Sequence, residues 1–85
     1  MRGRTETDLP RRSAEFTARE MDCLQLLVLG MTDQEIAHDL SITHATVRFH
    51  LESSRHKVSA RSRTHLAALA VALGIVSPLS DRPPE

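Results

Sequence analysis

Two stretches with helical period lie only three residues apart in this chain, and that spacing narrows what the chain can fold into. Residues 33–40 put Ile36, Ala37 and Leu40 on one side, and Ser41-Ile42-Thr43 then breaks the period. A second helical pattern runs over residues 44–58. Measured from Val47, Leu51 falls at about 40°, Ser54 at about 340° and Val58 at about 20°, which makes one narrow inward stripe. Arg48 falls at about 100°, Glu52 at about 140°, His56 at about 180° and Phe49 at about 200°, so an aromatic and two potential cations point away from the core. A single exposed apolar residue needs no explanation. Its position on the second of two tightly joined helices supplies one, because such a pair is a helix-turn-helix whose second helix enters the major groove of DNA.

The rest of the chain is punctuated for helices. Thr17 followed by Glu20 is a capping box, and Gly30 is placed to close the helix it opens. Thr32 and Glu35 form a second box just after that glycine. Thr43 can cap the third helix and Ser62 a fourth, which runs through Leu66, Ala67, Ala70, Val71 and Leu73 to Gly74. The pattern predicts an all-α fold: a compact domain of four helices over residues 18–29, 33–40, 44–58 and 63–73, with a central helix-turn-helix. No stretch alternates as a strand would, and no internal repeat is present. Residues 1–14 read as a flexible leader, 15–76 as the domain and 77–85, with Pro78, Pro83 and Pro84, as a flexible tail.

At 85 residues the chain holds one domain with a small core. Without Trp or Tyr, and with Phe16 and Phe49 as the sole aromatics, that core is expected to be aliphatic. No apolar run approaches the roughly 20 residues needed to span a membrane, and the amino terminus lacks the apolar region of a signal peptide. Cys23 falls on an apolar helix face, as a small buried hydrophobe does. A reduced, cytoplasmic protein is expected. His44, His50 and His56 invite a metal site, but six-residue steps on one helix turn by about 600° and point the rings in different directions. No metal, no other cofactor and no catalytic set is expected.

The formal net charge is zero, yet the charges are segregated. Residues 43–65 carry Arg48, Arg55, Lys57, Arg61 and Arg63 against Glu52 alone, a local charge of +4. Residues 13–40 carry Glu15, Glu20, Asp22, Asp33, Glu35 and Asp39 against Arg19, a local charge of −5. The basic half coincides with the outward-facing helix, as a nucleic-acid footprint would.

Residues 16–76 also resemble the LuxR-type DNA-binding domain. The motifs occur in order: Thr17-Ala18-Arg19-Glu20, Gly30, Glu35-Ile36-Ala37, Leu40-Ser41-Ile42, Thr46-Val47-Arg48-Phe49-His50, Lys57, Arg63-Thr64 and Gly74. Thr46-Val47 followed by Phe49-His50 is most similar to the quorum-sensing, autoinducer-binding branch, in which this domain follows a sensor that the present sequence does not contain. The sequence departs from the family at Ser54, where a large aliphatic is common, and at Val58-Ser59-Ala60, which replaces Leu-Gly-Val. The Ser54 hydroxyl then needs a partner such as the Leu51 or His50 carbonyl, and the turn after the helix is less pre-formed. Leu69 stands where a polar residue is common.

The resemblance implies base contacts from the positions of Arg48, Phe49 and Glu52. Their chemistry suits guanine O6 and N7, a thymine methyl and cytosine N4 respectively. Arg55, His56 and Lys57 suit phosphates, and Thr43 and Thr46 suit the sugar-phosphate backbone at the helix start. For Glu52 a helix ion pair to Arg48 or His56 at four-residue spacing carries equal weight. The resemblance further implies double-stranded DNA as partner, homodimerisation on DNA through Leu66, Leu69, Ala70 and Leu73, and contact with RNA polymerase. A module that pairs with full-length regulators through the last helix is the alternative.

Overall fold

The computed structural model describes residues 16–78 as four helices: α1 (Ala18–Val28), α2 (Asp33–Leu40), α3 (His44–Lys57) and α4 (Arg63–Ala72). The leader over residues 1–14 and the tail beyond Pro78 lie outside the described residues. Ser77, the first residue assigned to that tail, has its carbonyl held by Gln25 Nε2 at 2.7 Å. Among the described residues there is no strand, and no helix is long and apolar enough to cross a membrane. The expected helices form, with α1, α3 and α4 each one residue shorter than expected, because Leu29, Val58 and Leu73 are caps rather than helical residues.

Each helix begins where a hydroxyl residue can satisfy a free N–H. Thr17 Oγ1 accepts from Glu20 N at 3.0 Å while Glu20 Oε1 accepts from Thr17 N at 2.9 Å, and Thr32 and Glu35 repeat the exchange on α2. Thr43 and Ser62 cap α3 and α4 in the same way, without the reciprocal carboxylate. The four helices also end alike, each at a residue with left-handed backbone: Gly30 (φ 94°), Ser41 (φ 58°), Ser59 (φ 57°) and Gly74 (φ 73°). At every one, two N–H groups bond back to carbonyls in the last turn; after α3 these are Ser59 N to His56 O and Ala60 N to Arg55 O. Glycine occupies this conformation freely, whereas a serine is strained there by its Cβ. This is the physical content of the poorly pre-formed turn expected after α3.

All four helices feed one core. Cys23 and Leu24 come from α1, Ile36 and Ala37 from α2, Val47 and Leu51 from α3, and Leu66 and Ala70 from α4. The core is not purely aliphatic: Phe16, just ahead of α1, is buried at its edge with Lys57 Nζ 5.4 Å from the ring centroid. An aromatic serves there because its face offers negative charge to the ammonium as well as apolar area. Cys23 is fully enclosed, and burial pushes its thiol up to about 11, which keeps it protonated and unreactive. Ser54 is also fully buried, and its hydroxyl donates to the His50 carbonyl at 2.8 Å, one of the two partners expected.

A part-buried contact joins the end of α3 to the start of α1. The Glu20 carboxylate, 3% exposed as a residue, takes Lys57 Nζ at 2.6 Å on the oxygen that also closes the α1 capping box. Burial alone would raise its pKa; hydrogen bonds from Lys57, Ser53 and the Thr17 N–H outweigh that and hold it below the usual carboxylate value. A carboxylate whose folded pKa is depressed contributes stability above its unfolded pKa and loses it as pH falls through the folded value. The Glu20 contribution is therefore complete at neutral pH, begins to be lost as pH falls past the ordinary value of 4.5, and is gone below the lowered folded value.

Two outcomes follow from these local geometries. Replacing Ser59 by Gly should raise stability by up to about 1 kcal/mol, by removing left-handed strain, and Ser41→Gly should do the same. Thermal melts of the two variants measure this. Glu20→Gln should cost about 1–3 kcal/mol at pH 7, and urea titrations from pH 7 to 3 should show the wild-type advantage shrinking as the medium becomes acid.

Candidate nucleic-acid interface

Helix α3 is built to leave one long face free. Val47, Leu51 and Ser54 turn into the core, with Leu51 only 2% exposed. Phe49 on the opposite side is 69% exposed, the largest exposed apolar side chain among the described residues. Its ring meets the edge of the His50 ring at 5.6 Å between centroids and 66° between planes, which limits how it can turn. Arg48, Glu52 and His56 are exposed beside it. The structure thus brings Arg48, Phe49, Glu52 and His56 together on one surface. At the start of the helix, Thr43 and Thr46 have their hydroxyls 2.7 Å apart and are tied by the cap, which fixes the first turn.

Glu52 is not loose on this surface. Arg55 Nε donates to its Oε1 at 3.2 Å, Arg55 Nη2 donates to Oε2, and His56 Nε2 lies 3.3 Å from Oε2. The Arg55 hydrogen bond is the main cause that holds the Glu52 carboxyl below its usual range, and the same bond raises the Arg55 guanidinium above its own. Of the two four-residue partners considered for Glu52, His56 takes part and Arg48 does not. Arg55, three residues away, is the stronger partner, and the (i, i+3) helix rule is the signal that identifies it.

Two residues that appeared suited to phosphate have other work. Lys57 lies against Glu20 and Phe16 rather than on the outer face, and Arg55 is committed to Glu52 and to the Ala60 carbonyl at 2.8 Å. Asp33, at the start of α2, binds Arg63 at the start of α4 and stands 3.5 Å from His44 Nε2 at the start of α3. The Arg63 hydrogen bond holds the Asp33 carboxyl below its usual value against the opposing effect of burial. Three helix starts, each with partial positive charge, meet at this one carboxylate. Of the five basic residues in 43–65, Arg48 and Arg61 have no ion-pair partner among the described residues. Arg61, exposed in the turn before α4, is a candidate that the motif reading passed over.

The last helix requires a correction. Leu66 and Ala70, assigned to a dimer contact, are 1% and 0% exposed in the domain's own core and have no surface to offer a partner. Leu69 and Leu73 pack against the same core and are half-buried. The free face of α4 consists of Thr64, Ala68, Val71 and Ala72, all exposed. Helix α4 carries Leu, Ala or Val on nearly every side, and periodicity alone does not separate its inner from its outer side.

A family model described as bacterial regulatory proteins, luxR family, matches residues 14–70. The quorum sensing-dependent transcriptional regulator VjbR of Brucella ovis is 43% identical over 61 residues, covering 72% of this chain and 24% of the relative. RpaR of Rhodopseudomonas palustris, also named a quorum sensing-dependent regulator, is 40% identical over 67 residues, 79% of this chain and 28% of its own. The regulatory protein SdiA of Escherichia coli is 38% identical over 61 residues, 72% of this chain and 25% of its own. The chain spans about a quarter of the length of these curated relatives. With the ordered motifs, the helix-turn-helix geometry and the matched segment in agreement, the chain belongs to the LuxR family of bacterial regulatory proteins.

Proposed function

We propose that this chain is a DNA-binding transcriptional regulator that reads the major groove with α3, and that two copies bind an inverted repeat. The observation that carries this reading is Phe49, exposed beside Arg48 and Glu52 on the face away from the Val47–Leu51–Ser54 stripe. An exposed aromatic beside a fork of donors and a carboxylate matches the chemistry of base edges: guanine for Arg48, a thymine methyl for Phe49, an amino donor for Glu52. Thr43, Thr46, His56 and Arg61 supply backbone contacts, while Lys57 and Arg55 hold the helix and its reading surface in place. VjbR and RpaR are named as quorum sensing-dependent regulators, and the proposal puts the DNA recognition of this chain in that branch.

A single module of this size covers little DNA, so specific binding calls for two half-sites about one helical turn apart. The small side chains on the outer face of α4, with Val71 37% exposed among Ala68 and Ala72, let two copies approach closely. The same face would serve pairing with a full-length regulator, which makes that alternative a question of partner rather than of surface.

Arg48→Ala should weaken binding to a selected operator by about 1–3 kcal/mol and relax the preference at one base pair. Phe49→Ala should leave the melting temperature unchanged while reducing specific binding, whereas Leu51→Ala should destabilise the fold by roughly 2–5 kcal/mol. Fluorescence anisotropy and thermal melts distinguish the three; unchanged affinity in both surface variants would sink the α3 reading. Val71→Glu should lower affinity for the full palindrome and leave an isolated half-site as weakly bound as before. Equal retention on both would remove α4 from the dimer.

A further inference from the structure

We propose that Arg55 is a positioning residue for base recognition: it holds Glu52 in its reading pose and contributes no phosphate contact. This rests on the reading of α3 as the recognition helix. One guanidinium makes three hydrogen bonds here. Nε and Nη2 fork onto the two oxygens of Glu52, and Nη1 donates to the Ala60 carbonyl at 2.8 Å. Planar, fixed-angle donors make this set available to arginine, while a lysine ammonium cannot present a fork.

The Ala60 carbonyl is a firm anchor. Ala60 is buried at 4% exposure, and its N–H returns to the Arg55 carbonyl at 3.0 Å, so Arg55 is joined to the turn through both backbone and side chain. Glu52 itself has no support from the core; its side chain is 57% exposed. Left free, it would give up rotamer entropy on meeting a base. Held by Arg55, it has given that entropy up before DNA arrives, and preorganisation of this kind raises discrimination.

The grip also determines what Glu52 can accept. A carboxylate has about four acceptor positions. Arg55 uses one on each oxygen, and His56 Nε2 stands 3.3 Å from Oε2 and crowds that side, which leaves Oε1 as the more open acceptor. An open acceptor at a fixed place selects an amino donor, such as cytosine N4, and rejects the carbonyl oxygens of guanine and thymine. Neutralisation by Arg55 further lets a carboxylate sit close to the phosphate backbone.

The test compares the full chain with its Arg55→Lys, Arg55→Gln and Glu52→Gln variants, using site selection from randomised duplexes and salt titrations by anisotropy. Loss of selectivity at one base pair in Glu52→Gln identifies the position that it reads. Arg55→Lys should lose discrimination at that same base pair, on the order of tenfold, with the slope of log K against log salt unchanged in both Arg55 variants. Combining Glu52→Gln with Arg55→Lys should add no further loss of selectivity. A slope flattened by about one unit in Arg55→Gln, with selectivity intact, would make Arg55 a phosphate contact and overturn the proposal. Retained selectivity in Glu52→Gln would overturn it too, while Arg48→Ala and Phe49→Ala still report on α3 as the reader. One arm reads the wild type alone: the Arg55 Nε–H should give a slowly exchanging proton resonance, and fast exchange would rule out the grip.

Discussion

The placement of α3 depends on two carboxylates from the acidic half of the chain, one at each end of the helix. Glu20 on α1 takes Lys57 at the carboxyl end, and Asp33 on α2 reaches His44 at the amino end and Arg63 beyond it. The helix needs this help because its inward stripe is thin. Over fourteen residues it buries Val47, Leu51 and Ser54, and the third of these is a hydroxyl that adds little apolar area. A helix with a long polar and aromatic outer face gains too little from burial to fix its own angle. The Glu20–Lys57 pair, with its carboxylate buried, adds direction at the carboxyl end, and Asp33 adds a 3.5 Å contact with the His44 ring at the amino end.

The same contacts change what the charge segregation means. The local charge of +4 over residues 43–65 suggested an electrostatic footprint. In the fold, Lys57, Arg63 and Arg55 are each paired with a carboxylate, and Arg48 and Arg61 stand without an ion-pair partner among the described residues. Three of the five cations are therefore engaged within the domain, Lys57 and Arg63 with the acidic half and Arg55 with Glu52 on its own helix. On the proposed reading, shape and base-edge contacts have to supply much of the affinity, since few cations remain to release counterions from phosphates. A chain of zero formal net charge is consistent with recognition of that kind.

Much of the fold was legible because its signals are local. The hydroxyl caps, the capping boxes at Thr17 and Thr32, the closing glycines at Gly30 and Gly74 and the outward position of Phe49 all depend on residues within one or two turns. The end of α2 was legible in the broken period at Ser41, but the left-handed backbone at Ser41 and Ser59 was not, since serine carries no signal for it. The Glu20–Lys57 pair joins residues 37 apart, and the Asp33–Arg63 pair joins residues 30 apart; no spacing rule reaches that far. Burial of Leu66 and Ala70 was missed for a different reason. A helix rich in alanine and leucine on every side has no contrast for periodicity to detect, so the packing partner alone decides which side is inside. The Arg55–Glu52 pair was within reach of the three-residue helix rule, and attention to four-residue spacing hid it.

Two of the less favourable positions of the domain fall close together near the carboxyl end of α3. Ser54 occupies a core position that a larger aliphatic would fill, and Ser59 holds left-handed backbone at the turn five residues later. Between and beside them lie Arg55, gripping Glu52 and Ala60, and Lys57, held by Glu20 and Phe16. Val47, Leu51 and Ser54 thus hold the middle of α3 in the core, while carboxylates from other helices meet both of its ends, Asp33 at His44 and Glu20 at Lys57. Packing is indifferent to acid, whereas pairs built on carboxylates weaken as those groups take up protons. The buried stripe and the outer contacts of one helix consequently respond to different conditions, and the grip of the proposed positioning arginine on Glu52 is among the contacts that depend on ionisation.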